Sequence, residues 1–161
     1  MKKFFSIIAA GMLAVCASAQ VNISKVDKVS PNDEVFMDMA VSAAQNAVAS
    51  GQKANGAVLV LNGAWKATGL PGTDNSPETA AVAKTGRATV PGAVIFTVNQ
   101  PTPAAINALE DAQISAVYFV NPADAAIAAG IYSAADYEGV AKDGAIAVLQ
   151  MTYAPASDLL K

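Results

Sequence analysis

The 161-residue chain has no histidine and a single cysteine, and only 14% of its residues are charged. Without histidine there is no Ser-His-Asp triad, no Cys-His pair and no imidazole ligand for zinc or iron. The charged fraction is well below the usual ~25% of a globular domain. Hydrophobic residues make up 53% of the chain, so intrinsic disorder is excluded. The length fits one compact domain that can fold on its own core without a disulfide or a metal. No G-x-x-x-x-G-K-[ST] phosphate loop is present, and the glycines are scattered.

The start of the chain has the form of an export signal. Lys2 and Lys3 precede an apolar run from Phe4 to Val15, which is too short to span a bilayer. Ala17-Ser18-Ala19 then supplies a small-x-small cleavage site, so residues 1–19 are read as a signal peptide and Gln20 as the new N-terminus. The rival reading is a lipid anchor on Cys16, although Val15 stands where a lipobox has a small residue. Cleavage removes Lys2, Lys3 and Cys16; eight basic residues then face 13 acidic ones, a net charge of −5. An acidic exported chain without clustered Lys and Arg is a poor nucleic-acid binder, and loss of the cysteine excludes disulfides and thiolate chemistry. The mature chain is expected in a periplasm or secreted, with no membrane contact after cleavage.

The rest reads as alternating helices and strands. Residues 20–29 are polar and read as a flexible lead-in, and 30–161 as a single domain. Ser30-Pro31 with Asp33 and Glu34 is a helix start. Phe36, Met39, Ala40, Ala43, Ala44, Ala47 and Val48 continue it at helical spacing to Gly51. The apolar run 57–61, the turn Asn62-Gly63 and residues 64–68 make a hairpin, with Trp65 packed in it rather than serving as a stacking platform. Ser76-Pro77-Glu78 opens a second helix ending near Gly86, and Thr102-Pro103 a third ending near Ala112. Strands are expected at 93–98, 116–120 and 144–151. A further helix is expected from Pro122-Ala123-Asp124 to Gly130, with a short helical turn at 132–137. The expected fold is a three-layer α/β sandwich with a mixed five-stranded sheet. Ligands bind such sheets at the carboxyl ends of strands, beside helix N-termini.

The order and spacing resemble the cytidine deaminase-like superfamily, in particular its nucleobase and tRNA-adenosine deaminases. Asn55-Gly56-Ala57-Val58-Leu59-Val60 with Asn62-Gly63 is similar to the family's first hairpin. The stretch from Glu78 to Lys84 is similar to the helix after its H-x-E motif. Residues 91–101 are similar to the strand leading to its P-C-x-x-C motif, and 114–120 to the next strand. The resemblance covers roughly residues 35–125 and implies a zinc held by one His and two Cys, with a Glu that shuttles protons. Here the His position falls on Ser76 and the Cys positions on Thr102 and Ala105; only Glu78 keeps its type. Ala105 has no donor atom, and neutral hydroxyls are poor zinc ligands. No metal, no cofactor and no zinc-dependent deamination are therefore expected.

The candidate ligand-binding residues are Asn75, Glu78, Asn99, Gln100 and Thr102. Each has a plainer reading beside it. Glu78 in a first helical turn complements the helix dipole, Thr102 is an N-cap, and Asn99 and Gln100 stand where polarity returns at a strand end. Asp124 reads as a helix-start acid and Arg87 as a solvated loop charge. The function expected is a non-catalytic binding or structural module that takes a small molecule in the old pocket or a protein partner on a helix face. The alternative is a metal-free hydrolase using Glu78 with the hydroxyl of Ser76 or Thr102.

Overall fold

The structure is a computed structural model that describes residues 21, 23–27, 29–120, 132–141 and 146–151. The signal segment and the helix expected from Pro122 to Gly130 lie outside the described residues. Ser30 caps the first helix, α1 (Pro31–Ala49): its hydroxyl accepts from the Asp33 N–H while the Asp33 carboxylate accepts from the Ser30 N–H, a reciprocal capping box. The hairpin β2 (Ala57–Leu61) and β3 (Ala64–Gly69) follows. Asn62 (φ 54°) and Gly63 (φ 70°) both take the left-handed conformation, as the tight hairpin turn requires. Then come α2 (Pro77–Lys84), β4 (Val94–Thr97), α3 (Pro103–Asp111), β5 (Ala116–Phe119), a 3-10 turn at Ala134–Tyr137 and β6 (Ala147–Met151).

Among the described residues the sheet has six strands rather than five. The sixth, β1 (Ile23–Val26), lies within the segment read as a lead-in and pairs in parallel with β6. Its sequence, Ile-Ser-Lys-Val, carries no apolar run, because an edge strand with two exposed central residues needs none. The spatial order is β1-β6-β5-β4-β2-β3, with β2 antiparallel to both of its neighbours and β4, β5, β6 and β1 parallel.

Alternation along the strands builds two cores. Val58, Val60 and Phe96 face α1, meeting Met37, Ala40, Val41 and Ala44. Leu59, Ile95 and Val117 face the other way, onto Ala81 and Val82 of α2 and Ile106 and Leu109 of α3. The three-layer arrangement is therefore as expected. The buried stripe of α1 is shifted from the expected one: Met37 and Val41 are buried, whereas Val48 in the last turn is exposed. Trp65 is not packed in the hairpin core. It stands 52% exposed on edge strand β3, its indole N–H donating to the Thr68 hydroxyl at 3.0 Å, because no further strand covers that edge.

Candidate functional site

The site forms where β3 and β4 end and α2 and α3 begin. Gly69 closes β3 against the first turn of α2. A Cβ there would lie 1.8 Å from the Pro77 carbonyl oxygen and 2.6 Å from the Ala81 nitrogen, so only glycine allows this close approach. The chain then loops through 70–75 and enters α2 at Ser76. The Ser76 hydroxyl accepts from the Thr79 N–H at 3.3 Å, and the Thr102 hydroxyl accepts from the Ala105 N–H at 3.1 Å at the start of α3. Each satisfies an orphan N–H of its helix.

Between these helix starts lies a cleft of about 640 Å³. Its walls are the 53–55 segment before β2, the 71–78 loop and helix start, and residues 99–102 after β4. All five candidate binding residues, Asn75, Glu78, Asn99, Gln100 and Thr102, line it.

Glu78 differs from the solvated first-turn acid of the plainer reading. It is 1% exposed, and its Oε1 accepts from the Thr97 hydroxyl at 2.6 Å. Thr97 also lies 3.4 Å from the Asn55 Oδ1, which accepts from the backbone N–H groups of Gly56 at 2.9 Å and Asn99 at 3.2 Å. Asn55 thus joins the entry to β2 to the exit of β4. In the sequence Asn55 is marked only by an Asn-Gly pair just before a buried strand, and Thr97 by nothing beyond its place in the strand expected at 93–98.

Asn99 is 3% exposed, and its Nδ2 donates to the Ala54 carbonyl at 3.0 Å. Its Oδ1 is buried with no hydrogen-bond partner among the described residues. Gln100 serves chiefly as a clasp. Its Nε2 donates to the Tyr132 carbonyl at 2.8 Å and its Oε1 accepts from the Tyr132 N–H at 3.0 Å, as a neighbouring strand would. The Tyr137 hydroxyl, donating to the Pro101 carbonyl at 2.5 Å, ties the same segment down. Burial pushes that phenol up to about 12. Neither clasp was legible, because the partners are more than 30 residues apart.

The donor chemistry at the three positions that resemblance assigns to zinc does not suit the metal. Ser76 and Thr102 are neutral hydroxyls engaged as helix caps, and Ala105 is a buried methyl. No group of three or more His, Cys, Asp or Glu able to hold a metal occurs among the described residues. Neither capping hydroxyl has Glu78 as a hydrogen-bond partner among them.

The chain matches no protein-family model and no curated protein sequence. Solved structures do match. A structure from work on A-to-I editing by tRNA:A34 deaminases superposes with a TM-score of 0.60 at 22% identity, over 78% of this chain and 99% of that one. The apo dCMP deaminase of the cyanophage S-TIM5 gives 0.53 at 19% identity, over 76% and 100%. The guanine deaminase of Bacillus subtilis gives 0.51 at 26% identity, over 54% of this chain and 62% of that chain. The protein therefore has the cytidine deaminase-like α/β fold.

Proposed function

We propose that the mature chain is an exported small-molecule-binding protein that keeps a deaminase-like fold without zinc and without deamination. The observation that carries this reading is the contrast within one cleft. The cleft is open and carries polar side chains among its lining, with Glu78 and Asn99 buried in its walls. The positions that would hold the metal are two helix caps and a methyl group. Without a metal nothing brings the pKa of an attacking water from ~16 down towards ~7. Hydrolysis through a hydroxyl nucleophile needs a base in hydrogen-bond reach, and among the described residues Glu78 bonds to Thr97 rather than to Ser76 or Thr102. Export is inferred from the basic, apolar and small-residue order of residues 1–19.

The test is a thermal-shift screen of the purified mature chain against small polar molecules, nucleobases and nucleosides included. A ligand specific for the native state raises the melting temperature by mass action. The reading requires at least one such ligand, and a screen in which nothing stabilises the chain speaks for a purely structural role.

A further inference from the structure

The geometry points to a ligand of one chemical class for this cleft: a planar cation bearing N–H donors, a guanidinium or an amidinium. This rests on the cleft being a binding site, as proposed above. Two acceptors carry it. Asn99 is held by its NH₂ end on the Ala54 carbonyl, so its amide cannot turn, and its buried Oδ1 is left without a donor among the described residues. Glu78 spends Oε1 on Thr97; Oε2 has no partner among the described residues. Both residues line the same cleft and both are almost completely buried. Native structures rarely leave a buried acceptor such as the Asn99 Oδ1 unsatisfied, and a buried carboxylate demands a cation more strongly than a neutral acceptor demands a donor.

Among the described residues, the one basic side chain lining the cleft is Lys53, which is exposed, and Asp74 adds a second acid. A phosphorylated ligand would bring further negative charge beside Glu78 and Asp74. A neutral amide supplies donors but no charge. An alkyl ammonium supplies charge as a compact, strongly hydrated point. A guanidinium or amidinium offers several N–H groups in one plane together with a delocalised charge, which suits a carboxylate and an amide oxygen belonging to two residues that line one cleft. The cleft volume of about 640 Å³ also accommodates the rest of a small molecule behind that head group.

The test compares benzamidine and agmatine with benzamide, cytosine and adenosine by calorimetry and thermal shift on the purified chain. Benzamidine and agmatine are expected to bind, and benzamide to bind about tenfold or more weakly, since a hydrogen bond to a charged group exceeds a neutral one by about a factor of ten. Glu78→Gln keeps the shape and the Thr97 contact and should erase the preference for the cation. Asn99→Leu should weaken both cations about three- to tenfold. If benzamide, cytosine or adenosine binds as well as the cations, the cation assignment is overturned while the binding reading stands. Cation binding that Glu78→Gln and Asn99→Leu leave unchanged also overturns it. If no probe binds, the cation assignment falls, and the binding reading falls with it only where the wider thermal-shift screen also finds no ligand. Should either variant fail to fold, the benzamidine-to-benzamide ratio on the unaltered chain still decides.

Discussion

Replacing Gly69 with alanine tests how the cleft is positioned. The added Cβ would stand 1.8 Å from the Pro77 carbonyl oxygen and 2.6 Å from the Ala81 nitrogen. Both obstacles are backbone, so no side chain can rotate away. Restoring ordinary contact requires α2 to retreat by about 1.5 Å at its first turn. That motion would carry Ser76 and Glu78 with it and stretch the 2.6 Å bond between Thr97 and Glu78. Overpacking against rigid surroundings costs ~1–3 kcal/mol, and the depth of this clash places Gly69→Ala at about 3 kcal/mol. For a domain of this size that lowers the melting temperature by about 10 °C. Chemical denaturation followed by circular dichroism measures it directly. The control is Gly72→Ala in the same loop, where the nearest atom would be 3.8 Å away; it should shift stability by less than ~1 kcal/mol. Equal stability of Gly69→Ala and the unaltered chain would refute the packing of α2 on β3 described above.

Other perturbations have defined outcomes. Gln100→Leu removes both bonds to the Tyr132 backbone and should speed hydrogen exchange at the Tyr132 amide, at a stability cost of ~1–3 kcal/mol. Thr97→Val preserves shape but strips Glu78 of its hydroxyl donor, and should cost ~1–3 kcal/mol in a denaturant titration. The phenol of Tyr137 is raised from 10.0 to about 12 chiefly by burial. A group raised in the folded state lends stability that is complete below its unfolded value near 10 and is lost as pH climbs through 12. Alkaline unfolding curves should show that loss, and Tyr137→Phe should remove this part of it.

Much of the fold was legible because it rests on local chemistry. Ser30, Ser76 and Thr102, each followed by proline, mark three helix starts that the structure places at those residues. The Asn62-Gly63 turn and the apolar runs of β2, β4 and β5 mark the centre of the sheet. The edge was less legible: β1 has no apolar run, and Trp65 looks like a core residue until the sheet order leaves β3 uncovered. At the site, the sequence located the cleft by topology, since strand ends and helix starts must meet. It could not show that Glu78 is buried on Thr97, that Asn99 is left with an open oxygen, or that Gln100 clasps Tyr132. Those depend on pairings across 19 to 45 residues, which no local pattern encodes.

The central claim is that this deaminase-like cleft works without its metal. Elemental analysis of the mature chain, purified from zinc-supplemented medium without chelators, tests it most directly. No stoichiometric zinc is expected, and no change in melting temperature when zinc or a chelator is added. One tightly held zinc per chain, with stability lost on its removal, would contradict it.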